Sequence, residues 1–97
     1  TNIIYNSIQA VETTEKKEII IKTYELSNGR TRVHFEDSGI GITEENREKI
    51  FQPLFTTKGH AEGSGMGLYI TQKSLNLYGY KLEFQSEYGK TIFWFDI

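Results

Sequence analysis

Two tight-turn signals at opposite ends of the chain restrict its fold more than any other feature. Ser27-Asn28-Gly29-Arg30 separates Glu18 to Leu26, rich in Ile, Thr and Tyr, from an alternating stretch running from Thr31 to Asp37. An Asn-Gly pair accepts the positive φ angles of a two-residue hairpin turn, so the flanking stretches are predicted to be antiparallel strands. Glu87-Tyr88-Gly89-Lys90 stands in the same way between Tyr80-Leu82-Phe84 and Phe93-Phe95-Ile97, which predicts a second hairpin. Outside the hairpins the period changes. Ile4, Ile8 and Val11 recur at helical spacing from Asn2 to about Glu12, and Ile3 and Ser7 widen the same face. Thr43 stands where it would cap a short helix running to about Ile50, with Glu44 and Glu45 placed to favour the helix dipole. Leu68, Thr71, Leu75 and Tyr78 mark a third helix that begins near Met66 and stops at Gly79. Phe51 to Ser64 shows no sustained period and contains the sole proline, so it reads as a long loop. Helix, two strands, short helix, loop, helix and two strands predict a two-layer α+β sandwich with a mixed, mainly antiparallel sheet packed on helices.

Size and charge narrow the classes of function. Ninety-seven residues make one domain, spanning 1–97, with a core that needs no covalent staples. There is no cysteine, which removes disulfides and thiolate metal sites and fits a reducing, cytoplasmic setting. The 11 basic and 13 acidic residues are mixed along the chain, so no basic stripe offers itself to nucleic acid. No apolar run approaches the roughly 18 residues of a membrane span, and no membrane contact by this stretch is expected.

Several residues then ask for a chemical reason. Alternation along Thr31 to Asp37 puts Asp37 on the side of Val33 and Phe35, so its carboxylate points where the core should be and needs donors. It either caps the turn at Ser38-Gly39 or accepts from a ligand amine, and the closely spaced Gly39 and Gly41 favour the second weakly, by letting backbone approach a flat ligand. Asn2 and Asn6 lie one helical turn apart; they are either a polar face or a pair of neutral oxygen ligands suited to Mg²⁺ where phosphates bring the negative charge. Gly63-Ser64-Gly65-Met66-Gly67 leads into the third helix, either as a flexible loop end or as a row of backbone N–H groups for an anion.

Taken in order, these stretches resemble the ATP-binding domain of sensor histidine kinases, within the wider family that includes gyrase, Hsp90 and MutL. Asn2-Ile3-Ile4-Tyr5-Asn6-Ser7-Ile8-Gln9-Ala10 looks like the N box, Asp37-Ser38-Gly39-Ile40-Gly41-Ile42 the G1 box, Phe51-Gln52-Pro53-Leu54-Phe55-Thr56-Thr57-Lys58 the F box, and Gly63-Ser64-Gly65-Met66-Gly67-Leu68 the G2 box. The resemblance implies a Bergerat-type fold that binds Mg-ATP. It makes Asn6 the principal Mg²⁺ ligand supported by Asn2, and gives Asp37 the adenine amine. Gly39 and Gly41 shape the base pocket, while Gly63, Ser64, Gly65, Gly67 and Leu68 belong to the motif that meets the phosphates. Residues 51–64 become an ATP lid in which Lys58 meets the terminal phosphates, so that Asn6 and Lys58 carry the transfer, and Thr91 lies near the adenine side.

Two departures refine the expectation. Ser7 replaces the family's usual alanine. Asn2 stands where the ATPase branches carry glutamate, and an asparagine cannot act as a general base, which favours phosphoryl transfer to a protein over hydrolysis. His34, on the polar side of its strand, reads as a surface residue, and His60 falls in the lid; neither resembles the phosphoacceptor motif. The acceptor is therefore expected on a separate dimerisation domain, in a homodimer that passes phosphate to a response regulator, and the chain is expected to be incomplete at its N-terminus. A nucleotide-binding module, or a serine-kinase or ATPase relative of the same fold, is the alternative.

Overall fold

A computed structural model describes residues 2–52 and 67–97, Asn2 by its backbone alone. Helix α1 spans Asn2–Ala10, strands β1 and β2 span Ile19–Glu25 and Thr31–Asp37, and α2 spans Glu44–Arg47. Helix α3 covers Gly67–Leu77, followed by β3 at Glu83–Glu87 and β4 at Lys90–Asp96. The sheet order is β1-β2-β4-β3 and each pairing is antiparallel. No parallel pair occurs among the described strands.

Both hairpins form where the turn signals stand. Gly29 N–H donates to Leu26 O at 3.0 Å, and the Asn28 side chain accepts from Arg30 N at 2.9 Å, which locks the first turn. At the second, Glu87 pairs with Lys90, leaving Tyr88 and Gly89 as the loop. Helix α3 stops as expected: Tyr80 N–H reaches back to Leu75 O at 2.9 Å and Gly79 N–H to Asn76 O at 3.1 Å, the paired closing bonds of a glycine C-terminus.

Pairing across the sheet sorts side chains onto two faces. Phe35, Phe93 and Phe84 are successive partners, so they share one face, and Val33 and Phe95 lie beside them. That face meets the helices. Ile3, Ile50, Leu82 and Phe93 are buried at its centre, with Phe35, Ile42, Phe51, Leu68, Leu75, Phe84 and Phe95 around them. The Phe84 and Phe93 rings stack at 5.6 Å, and Phe51 meets Phe84 edge-on at 5.8 Å.

Four expectations are corrected. The buried stripe of α1 is Ile3, Ser7 and Val11, while Ile8 is 47% exposed. A four-residue spacing through the small Ser7 lets the helix lie close to its neighbours, and the bulkier Ile8 turns outward. Helix α2 is a single turn rather than a run to Ile50, and the Thr43 side chain makes no capping bond. Strand β3 begins at Glu83, later than the alternation from Tyr80 implied. His34 is buried, not superficial. Its Nε2 lies 3.0 Å from Glu36 Oε1, Tyr24 leans over it at 6.3 Å, and Trp94 is its cross-strand partner, so aromatic neighbours cover a position that alternation alone marks as outward. The start of α3 near Met66 and residues 53–64 of the predicted loop lie outside the described residues.

Candidate functional site

At one end of the helix-facing side of the sheet the aromatic surface gives way to three small polar residues in a row. Asp37 on β2 pairs with Thr91 on β4, and Thr91 with Ser86 on β3. All three are buried, at 4%, 2% and 7% exposure. A row of buried oxygens beside an apolar face costs free energy unless each finds a partner, so such a row needs either internal bonds or a ligand. Part of that demand is met internally. Asp37 Oδ1 accepts from Gly39 N at 2.9 Å, Ser86 Oγ accepts from Ile42 N at 2.7 Å, and the Ser86 and Thr91 hydroxyls lie 2.6 Å apart. The turn-capping role of Asp37 is thus present.

The segment that follows Asp37 is gripped from three directions. Ser38 Oγ donates to Lys16 O and accepts from Glu18 N, both at 2.8 Å, which binds it to the α1–β1 connection. Thr14 rigidifies that connection by donating to Lys16 O at 2.7 Å. Gly39 packs against the end of α1, where an added Cβ would stand 2.6 Å from Ala10 Cβ and from Ala10 O. Ile40 N–H donates to the same Ala10 carbonyl at 3.1 Å. Gly41 has φ +81 and presses on the β3–β4 hairpin, where an added Cβ would stand 2.6 Å from Glu87 O. The third grip is the bond from Gly89 N to Gly39 O at 2.9 Å. The close approaches made by these two glycines are therefore to the chain's own backbone.

Helix α1 meets this end through Ala10. Asn2, Asn6 and Ala10 are spaced by four and form one stripe, and Ala10 is the residue seated on Gly39. Asn6, half-buried, is one turn back from that contact. Asp37, Gly39, Gly41 and Thr91 are thus brought together, and α1 reaches them through Ala10. Gly67 and Leu68 open α3, and Leu68 packs on the core. Lys58, Gly63, Ser64 and Gly65, together with the Asn2 side chain, lie outside the described residues.

Ser86 and Ser38 were not singled out by sequence. Their roles depend on pairing across 44 and 22 positions, to Ile42 and Lys16. Only the alternation that puts Ser86 on the same face as Phe84 hints at burial, and it names no partner. Arg47 of α2 also donates to the Ser86 carbonyl. A cleft of about 370 Å³ lined by Arg47, Gln85, Ser86, Glu87, Lys90 and Ile92 borders the row at Ser86, though neither Asp37 nor Thr91 lines it.

Known proteins share this fold. A family model described as histidine kinase-, DNA gyrase B- and HSP90-like ATPase matches residues 1–97. The signal transduction histidine-protein kinase AtoS of Escherichia coli (strain K12) is 40% identical over 75 residues, covering 77% of this chain and 12% of AtoS. Among solved structures, the catalytic domain of histidine kinase ThkA superposes with a TM-score of 0.78 at 36% identity, over 99% of this chain and 60% of that domain. Full-length ShkA in complex with AMPPNP superposes with a TM-score of 0.75 at 25% identity, over 98% of this chain and 20% of ShkA. The chain spans a small part of these full-length kinases.

Proposed function

This chain belongs to the family of histidine kinase-, DNA gyrase B- and HSP90-like ATPases, and on that premise we propose that it is the ATP-binding catalytic domain of a two-component sensor histidine kinase. The observation that carries the reading is the buried row Asp37, Thr91 and Ser86 at the end of an otherwise apolar face, with Ala10 of α1 seated on the neighbouring Gly39. A purine is flat and apolar with a polar edge, and this end of the sheet offers an apolar surface that terminates in fixed polar atoms. Asp37 accepts from the exocyclic amine of adenine; the corresponding carbonyl of guanine would face a carboxylate. ShkA, whose structure contains AMPPNP, supports the same reading.

The donor set fits a Mg²⁺ ion that arrives with phosphates. Asn6 offers a neutral amide oxygen, with Asn2 one turn away on the same helix, and neither adds negative charge beside a triphosphate. Bound there, Mg²⁺ would neutralise charge on the phosphates during transfer. Asn6 and Lys58 hold the transferring end, and Gly63, Ser64, Gly65 and Gly67 present backbone N–H groups to the phosphates. The residues 51–64 act as the lid. With asparagine at position 2 no general base for water stands on the helix. The γ-phosphoryl group passes instead to a histidine on a dimerisation domain of the same protein and then to a response regulator. ATP chemistry places the domain in the cytoplasm; among the described residues no helix is long and apolar enough to cross a membrane.

Titration calorimetry of the full-length protein with Mg-ATP and Mg-GTP tests the base assignment. ATP is expected to bind and GTP not, and Asp37→Asn, which keeps the bond to Gly39 N, should weaken ATP by roughly tenfold or more. Equal binding of the two nucleotides, or of neither, would overturn it.

A further inference from the structure

Strand β2 leaves the sheet at Ser38 by using a side chain where the ladder would use a backbone carbonyl. In an antiparallel ladder two hydrogen-bonded partners exchange both N–H···O bonds. Ser38 N–H donates to Glu18 O at 3.0 Å, but the return bond from Glu18 N goes to Ser38 Oγ at 2.8 Å. The hydroxyl hydrogen is given to Lys16 O, also at 2.8 Å, so the side chain is held on both its accepting and its donating side. A second buried hydroxyl, that of Thr14, meets the same Lys16 carbonyl at 2.7 Å and Val11 O at 3.1 Å. Val11 follows Ala10, whose carbonyl takes Ile40 N–H at 3.1 Å. These bonds close a ring from the end of α1 through Thr14, Lys16 and Ser38 to Ile40 and back to Ala10. Lys16 and Glu18 are themselves exposed, so the ring does not bury the connection; it holds the turn that begins at Asp37.

We propose that Ser38 is a positioning residue for nucleotide recognition: by taking Glu18 N–H on its hydroxyl it lets β2 turn away towards α1, and so holds the Asp37 carboxylate where it meets the amine of the base. Without the hydroxyl, Glu18 N–H is left to the Ser38 carbonyl, a bond that would prolong the ladder and draw Gly39 away from Ala10. Gly39 cannot absorb that movement alone, because its N–H is bonded to Asp37 Oδ1 at 2.9 Å and its carbonyl to Gly89 N at 2.9 Å. The displacement therefore reaches the Asp37 carboxylate. Ser38 acts in this way without touching the ligand, and its role rests on the nucleotide reading above.

Affinities of Mg-ATP and of the Mg complex of purine riboside triphosphate, which lacks the amine, are measured by calorimetry for the full-length protein and for Ser38→Ala, Ser38→Cys and Gly79→Ala. The cysteine keeps the volume with a weak donor and acceptor, so it carries the test if the alanine variant is unstable. Gly79, at φ +82 with nothing within 4 Å of an added Cβ, gives a variant destabilised through its backbone alone, at the end of α3. The unaltered protein is expected to bind ATP about tenfold or more tightly than the analogue. That ratio should fall by about threefold or more in Ser38→Ala and Ser38→Cys and stay unchanged in Gly79→Ala. A ratio within one variant does not depend on the fraction folded, so it separates a displaced Asp37 from a loosened fold. An unchanged ratio in either Ser38 variant, or an equal fall in Gly79→Ala, overturns the positioning role while the nucleotide reading stands. A ratio near one in the unaltered protein, or failure of that protein to bind ATP, removes the Asp37–amine reading itself and the role of Ser38 with it.

Discussion

Glu36 and His34 lie on the face of the sheet away from the helices, where a partly covered hydrogen-bonded pair ties stability to pH. The bond with His34 holds the Glu36 carboxyl below its ordinary value, helped by Lys90, the His34 charge and Lys22 and opposed by burial. Arg32 lowers Asp96 in the same way, through bonds of 2.7 and 3.0 Å to its two oxygens. A carboxyl whose value is lowered in the folded state contributes stability above its unfolded value and loses it as pH falls through the folded one. The melting temperature is therefore expected to hold near neutrality and to fall as pH drops below about 4.5, the ordinary glutamate value. In Glu36→Gln the neutral melting temperature should drop and the acid-side decline become shallower, with the Asp96 contribution remaining. Thermal scans from pH 7 to pH 3 check this, and an unchanged acid slope in Glu36→Gln would show that the pair contributes nothing. Arg32 also lies over Trp94 at 5.4 Å, so it is held by more than charge and its removal would not test the ion pair cleanly.

Two connections, not the strands themselves, build the candidate site: the turn after Asp37 and the hairpin between β3 and β4. Gly41 shows how they depend on each other, because a side chain there would meet both an unfavourable φ of +81 and the Glu87 carbonyl. Gly89, at φ +90, has a similar backbone conformation with nothing within 4 Å. Gly89→Ala should therefore lose only the conformational term, about 1–2 kcal/mol. Gly41→Ala should lose more and also weaken ATP, since the hairpin holding Ser86 and Thr91 must shift. Chemical denaturation of the two variants checks the comparison, and equal losses would mean that the hairpin yields freely. Much of this geometry is legible in the sequence: Asn28-Gly29, Gly79 and Gly89 punctuate the chain where the elements end, and alternation correctly sends Asp37 inward. Alternation fails at His34 because whether an outward position is covered depends on Tyr24 and Trp94, which come from other strands. It is silent on Ser86 and Ser38 because a serine in a strand or turn carries no mark of its partner, and the partners lie far along the chain. The role of Gly39 is hidden for the same reason, since only the packing of α1 puts Ala10 against it.

Over the whole molecule the described sheet is polarised. One end carries Asp37, Thr91, Ser86 and the start of the α1–β2 contact, while the other carries the Ser27–Arg30 turn and the bonds between Thr31 and Ile97 at 2.8 and 3.0 Å. Strand β2 alone separates the two by seven residues, about 20 Å at strand spacing. Amides at the turn exchange by local opening, which does not involve the polar row, so a ligand held at that row should leave them almost unaffected. Amides that exchange only by global unfolding should instead slow by the factor that binding adds to stability, about a hundredfold when free nucleotide is a hundred times its dissociation constant. Between these limits, the amides of Gly39, Ile40, Ile42 and Gly89 should gain more protection than those of Gly29 and Arg30, because local opening of the former breaks the grips on Ala10, Ser86 and Gly39 that position the ligand. Hydrogen exchange with and without Mg-ATP reads this gradient directly. Protection that appears first at Gly29 and Arg30, or that is uniform across both ends, would put the nucleotide somewhere other than the Asp37 end of the sheet.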